Sequence, residues 1–244
     1  MRCFKYIILS ACLLVGSLNI KAQVDTVFWF AAPWVTPDHA GNQPMAFHFS
    51  TFANATTIRL RQPASVYDTS FTVAPNTLFT KYVSHLLDSL ESKPADSVIN
   101  RGFEVSSDFP IVAVYDFQST GNNPETYSLK GQNGMGYEFV TPFQTLWNNK
   151  YLGPGRIQPY QFFSVVATEN NTTIHITPRC DVVGGHPANV TYSVFLPNAG
   201  QVYTCQNITQ ITSTLGSSLA GSVITSDKKI SVTVNDDSVN PSGG

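Results

Sequence analysis

Apolar and polar residues alternate in short runs along most of this chain. Thr56–Leu60 puts Ile58 and Leu60 on one face, and Thr172–Thr177 does the same with Ile174 and Ile176; a two-residue period marks half-buried strands. Ala46–Thr51 and Gln161–Thr168 are denser apolar runs with aromatics. Ser70–Val73 and Val190–Leu196 follow, each closed by a Pro-Asn turn. Ile111–Tyr115 and Ile230–Val234 read as closing strands entered through Ser-Asp turns, and Thr126–Leu129 as one strand more. One segment breaks the pattern: Phe79, Val83, Leu86, Leu87 and Leu90 fall at helical spacing, and Pro94 stops extension. It predicts a short helix capping the first sandwich, with a partner-binding helix as the alternative. Short strands punctuated by Gly, Pro and Asn favour β-sandwiches.

The same order of segments occurs twice. Phe28-Trp29-Phe30-Ala31-Ala32-Pro33 resembles Tyr137-Glu138-Phe139-Val140-Thr141-Pro142, and Thr56–Leu60 resembles Thr172–Ile176. Ala74-Pro75-Asn76 resembles Leu196-Pro197-Asn198, and Gly102–Ile111 lines up with Gly221–Ile230. Order is kept while spacing drifts by a few residues, as loop insertions produce. The chain therefore reads as all-β: two tandem β-sandwich-like domains of about 110–120 residues each, with one short helix in the first. The expected boundaries are 24–134 and 135–244. The second copy stops before any equivalent of Thr126–Leu129, so it reads as truncated, and the natural chain is expected to continue past Gly244.

Composition narrows the class. The 244 residues are 42 % hydrophobic, 12 % aromatic and only 12 % charged, unlike a disordered chain. The formal net charge is −2 and no Lys/Arg cluster stands out, which argues against nucleic-acid binding.

The first 23 residues have the layout of an export signal. Arg2 and Lys5 precede the uncharged run Ile7–Leu18, and a polar exit follows with Ala22 as a candidate cleavage position. The apolar run is too short to span a bilayer as a helix, and no other stretch reads as a transmembrane segment. Leu9-Ser10-Ala11-Cys12 offers a second reading, a lipoprotein box that leaves Cys12 lipidated. The mature product is expected outside the cytoplasm, secreted or on the outer cell surface. Of four cysteines, Cys180 and Cys205 remain after cleavage. In an oxidising compartment they are expected to form one disulfide, worth about 3–4 kcal/mol. The other readings are two unrelated buried thiols, or a partner cysteine beyond residue 244.

Few residues carry catalytic chemistry. Five histidines (His39, His48, His85, His175, His186) include no His-x-x-x-His pair, and no Cys-x-x-Cys occurs. Gly216–Gly221 is one residue too long for a nucleophile elbow and reads as a linker. Gly131–Gly136 has the wrong order for a dinucleotide loop and reads as an interdomain turn. Asp236 and Asp237, beside Asn235 and Ser238, are the candidate Ca²⁺ ligands, since Ca²⁺ takes oxygen donors; a solvated turn is the alternative. Trp29, Trp34 and Trp147 are the candidate ligand-facing aromatics. Because Trp29 alternates with Phe28 and Phe30, at least one of the three faces outward or into a domain interface.

The run Phe163-Ser-Val-Val-Ala-Thr-Glu-Asn-Asn-Thr-Thr-Ile174 resembles the "vAT-e-nnTT-v" signature of the IgGFc-binding protein N-terminal domain family. Gly102–Ile111 and Ile224–Val234 are similar to its "G-i-I-S-d-P-I-s-V" signature. Asn123–Gly131 and Thr141–Trp147 resemble the version found in large secreted, gliding-motility-associated surface proteins of Bacteroidetes. The resemblance covers Val24–Ser238. It implies a non-catalytic extracellular binding or adhesion module, whose ligand is a protein or glycan on a cell surface or in mucus. It carries over no functional residues and names no cofactor. A structural stalk of a larger surface protein is the alternative. A glycan- or peptide-acting hydrolase is the third reading; it requires two facing carboxylates or a nucleophile–base pair.

Overall fold

The computed structural model describes residues 23–36, 45–117, 124–208 and 217–240. In chain order the strands are β1 (Val24–Phe30), β2 (Met45–Ser50), β3 (Thr56–Arg61), β4 (Asp68–Val73), β5 (Leu78–Tyr82), β6 (Val98–Ile99), β7 (Phe103–Phe117) and β8 (Glu125–Ser128). They continue as β9 (Met135–Val140), β10 (Asn148–Asn149), β11 (Gln161–Ala167), β12 (Thr172–Thr177), β13 (Tyr192–Leu196), β14 (Val202–Gln206), β15 (Val223–Asp236) and β16 (Val239–Asn240). The chain is all-β, as the alternation predicts. The export signal, Cys12, His39 and the terminal Pro241–Gly244 lie outside the described residues.

Two seven-stranded sheets hold most of the chain. The first runs β4-β3-β7-β2-β5, with β1 and β8 also on β7. The second runs β13-β12-β15-β11-β14-β6, with β9 on β15. Strands β1, β2, β3, β4, β5 and β7 thus have counterparts in β9, β11, β12, β13, β14 and β15. The cross-strand register makes the correspondence residue by residue. Phe28 faces Val105 and Phe139 faces Ile224; Val24 faces Val112 and Met135 faces Ser231. Phe28 therefore corresponds to Phe139, not to Tyr137, and the sequence match of β1 to β9 is out by two residues. A two-residue slip keeps every side chain on its own face, so the hydrophobic pattern does not expose the error.

The closing strands are longer than expected. Ser107-Asp108 and Ser226-Asp227 are not turns between strands but interior positions of β7 and β15. The first half of β7 pairs with β3, the second half with β2 and β8, and β1 pairs with both halves. Its buried alternation breaks at Ser107–Pro110, where the strand bends from one layer to the other. Pro110 has no N–H to give a ladder, which suits a bend. The register shift between Asp25 and Val27 on β1 lies opposite this bend.

The helix is also shorter than its spacing predicts. Phe79 belongs to β5, where its ring lies 4.6 Å from that of Phe71. Of the predicted helix, Ser84–Leu86, a 3-10 turn, and α1 (Leu87–Leu90) are helical. Sheet packing of Phe79 outweighs a helical periodicity of five residues.

Each sheet closes over its own core. The first is aromatic: Phe28, Phe30, Phe47, Phe49, Phe103, Tyr115 and Phe117 are buried together with Ile58 and Leu60. Phe47 lies 5.2 Å from Phe103 and 5.1 Å from Tyr115, centroid to centroid; each such pair adds about 0.5–1.5 kcal/mol beyond burial. The second core holds Phe163, Val165, Ile174, Ile176, Leu196, Ile224 and Ile230. Leu219 joins it, and Gln161 Oε1 accepts bonds from Ser218 Oγ and Leu219 N. The described part of the Ser-rich connection is thus a buried plug rather than a free linker.

The two sheets are fastened to each other. Strand β6, from the β5–β7 connection, pairs antiparallel with the edge of β14. Asp96 N donates to Thr204 O and Gly102 N to Gly200 O, both at 2.9 Å. A third cluster joins Ala31, Trp29 and Ile99 to Val166 and Val202. Trp29 therefore faces the junction, one of the two places the alternation allows. Asp96 Oδ1 accepts from Tyr203 Oη at 2.7 Å and lies 3.1 Å from His186 Nε2, whose ring stacks on Tyr192.

Candidate functional site

Among the described residues, the connection from β9 to β11 carries the densest run of exposed apolar side chains near one another in sequence. Leu146 is 82 %, Trp147 45 % and Tyr151 64 % exposed, and Ile157 is exposed beside them. An exposed loop of this kind would ordinarily fray. This one is held by side chains that replace a regular ladder. Gln144 Oε1 accepts from Leu146 N and Trp147 N, both at 2.9 Å, while Gln144 Nε2 donates to Trp147 O at 2.8 Å. Further on, Gln158 Oε1 accepts from Leu152 N, and Gln158 Nε2 donates to Gly153 O. Strand β10 then pairs with β16 at the end of the second sheet.

Asp236 anchors this arrangement. Its carboxylate accepts from Gln144 Nε2 at 2.7 Å, Asn149 Nδ2 at 2.9 Å and Gln161 Nε2 at 3.0 Å. Asp237 is buried and points the other way. Its Oδ2 accepts from the backbone N–H of Thr36 at 2.9 Å and from the Thr36 hydroxyl, tying the segment after β1 to the second sheet. The two carboxylates proposed as Ca²⁺ ligands are thus surrounded by amide and hydroxyl donors. A cation there would have to displace them, so this donor set does not fit Ca²⁺ as it stands. Among the described residues no group of three or more His, Cys, Asp or Glu side chains is placed to hold a metal.

The three tryptophans separate. Trp147 is presented on the loop. Trp34 is half-buried and lines a shallow groove with Tyr160 and Gln206, with Lys93 Nζ 5.9 Å from its ring centre. Trp29 packs into the junction. Cys180 and Cys205 are both buried in the second core and are free thiols in this structure. Burial pushes each thiol up to about 12, so neither is a nucleophile at neutral pH.

Two features are invisible in the sequence. One is an apolar hollow of about 340 Å³ at the bend of the first sheet, lined by Val24, Phe52, Phe109 and Pro110. At the corresponding bend of the second sheet the register places Thr168 and Lys228 where Phe52 and Phe109 stand, so the bend itself does not require aromatics. The other is a polar row on the outer face of the first sheet. His48 Nδ1 lies 2.9 Å from Thr80 Oγ1, and His48 Nε2 lies 2.9 Å from Asp116 Oδ1. This meets the distance required of a nucleophile–base pair. Its surroundings are those of a cross-strand row: the corresponding positions of the second sheet hold Ser164, Thr204 and Asn235, and Ser164 Oγ bonds Thr204 Oγ1 at 2.8 Å. A polar cross-strand pair at this position is common to the two sheets.

Residues 125–242, just under half of the chain, match the family model described as IgGFc binding protein. The match begins at β8 and takes in the second sheet apart from β6, with the Trp147 loop, rather than the whole of Val24–Ser238. No curated protein and no solved structure matches the chain. The matched family is one of binding domains, and no helix among the described residues is long and apolar enough to cross a membrane.

Proposed function

We propose that the chain is a secreted or cell-surface binding and adhesion module, non-catalytic, with domains at 24–134 and 135–244. Its contact surface is the β9–β11 loop. One observation carries this: Leu146, Trp147 and Tyr151 are exposed on a loop whose backbone is already held by Gln144, Gln158 and Asp236. Aromatics on a pre-ordered loop lose little entropy on contact, which is what an interface anchor needs. The family match over this region supports the same reading. The ligand class is a glycoprotein, a glycan or a cell-surface protein.

Two experiments test it. Immobilised IgG Fc, mucin glycoprotein and a glycan array serve as probes for the purified protein. Saturable binding to one of them is expected; turnover of a probe would replace the reading with the hydrolase. Protease treatment of intact source cells should remove the protein if it is displayed, and should leave a cytoplasmic protein intact.

A stalk role has its own support. The β6–β14 ladder and the third apolar cluster join the sheets without a free linker, as a spacer requires. A protein that spaces a distal domain would bind none of the probes.

A further inference from the structure

The junction between the two sheets has a donor side and an acceptor side, and the repeat supplies a second, uncovered example of each. On the acceptor side stand the edge of β14 and the outer face of β11. Val202 and Val166, opposite each other in the β14–β11 ladder, are fully buried there under Trp29, Ala31 and Ile99 of the donor side. The register identifies their counterparts in the first sheet as Leu78 and Ser50, which also face each other. Gly200 and Asn76, just before these two edge strands, both take positive φ, 83° and 50°, so the approach to the edge is shared as well. Among the described residues β5 pairs only with β2. Leu78 is 67 % exposed where Val202 is fully buried.

The donor side is repeated too. Trp29 faces Glu104 on β7, and Val140 faces Val223 on β15, which makes Val140 the counterpart of Trp29. Trp29 is packed in the junction, whereas Val140 is exposed on the second sheet. The first sheet thus carries an exposed acceptor position, Leu78, and the second an exposed donor position, Val140, each the counterpart of a side chain that the junction covers.

We propose that a second copy of this chain docks head to tail, the Val140 side of one copy covering the Leu78 edge of the next and repeating the internal junction. An edge strand with exposed Leu78 and Tyr82 is a template for such pairing. Because the two surfaces differ, the contact is heterologous and does not close on itself. This proposal concerns assembly and is independent of the Trp147 loop.

The test is the mass of the purified protein in solution, measured by analytical ultracentrifugation over a concentration series. The weight-average mass is expected to climb with concentration through two copies and beyond. Leu78→Lys and Val140→Lys, both at exposed positions, should each hold the mass at one copy with circular dichroism and melting temperature unchanged. Mixed in equal amounts, the two variants should give a doubled mass and no larger species, since each retains the surface the other lacks. A protein that stays monomeric throughout overturns the proposal. So does association that survives Val140→Lys, which would indicate edge-to-edge pairing of β5 with itself, and so does a mixture of variants that remains monomeric.

Discussion

Replacing Asp236 by alanine removes the acceptor shared by three amides, Gln144, Asn149 and Gln161. Hydrogen bonds to a charged group contribute about 1.5–3 kcal/mol each. Each amide retains a second acceptor: Trp147 O for Gln144, Asp237 O for Asn149 and Gln144 O for Gln161. The loss is therefore well below three full bonds. Since Gln161 and Asn149 are buried, water replaces the carboxylate poorly, and a net cost of about 3 kcal/mol follows. For a chain of this size that lowers Tm by about 6–12 °C. Urea titration followed by circular dichroism should show the midpoint of the main transition falling. Trp147 fluorescence should change at low denaturant, ahead of the main transition, because Gln144 loses its anchor. A cost below about 0.5 kcal/mol, the range of an ordinary surface substitution, would refute the assignment of Asp236 as the anchor of the loop.

The carboxylates give a second outcome: EDTA and added Ca²⁺ should both leave Tm unchanged, and a rise with Ca²⁺ would restore Asp236 and Asp237 as cation ligands. Gly102→Ala places a Cβ 2.7 Å from Gly200 O and 2.8 Å from Val166 Cγ1, so overpacking should cost about 1–3 kcal/mol, seen as a lower midpoint of unfolding. Burial raises the phenols of Tyr115, Tyr127, Tyr192 and Tyr203; the folded state keeps protons that the unfolded chain releases above its pKa of about 10. Stability should be complete below that pH and fall above it, by about 1.4 kcal/mol per pH unit for each tyrosine, with the share of phenolate absorbance due to these four appearing only as the chain unfolds. A disulfide between Cys180 and Cys205 is proposed for the exported protein: thiol titration in denaturant should find none before reduction and two after it, and alkylation of the reduced folded protein should be slow at neutral pH.

The strand pattern and the repeat were legible because Ile58, Leu60, Ile174 and Ile176 alternate cleanly and point into the two cores. The bend in β7 was not, since Ser-Asp before Phe-Pro has the composition of a turn and only its partners on both sides show a continuous strand. The helix was overextended because Phe79 satisfies a helical spacing while its ring is claimed by Phe71 in the sheet. The site was half legible. Trp147 and Asp236 were each singled out by residue type, yet nothing in the sequence connects them. The connection runs through Gln144, an amide whose two hydrogen-bonding ends leave no periodic signature. The hollow at Phe52 and Phe109 has no sequence signature either, because its walls come from three segments distant in sequence.

The most direct test compares wild type, Trp147→Ala and Phe109→Ser for binding to whichever of IgG Fc, mucin or array glycan the wild type recognises. Loss of a central aromatic anchor should cost about 2 kcal/mol or more, roughly 30-fold in Kd. Trp147→Ala is expected to lose that much with its fold intact, and Phe109→Ser to bind as wild type does. The reverse result, binding lost with Phe109→Ser and kept with Trp147→Ala, would contradict the assignment of the loop and move the contact surface to the hollow on the first sheet.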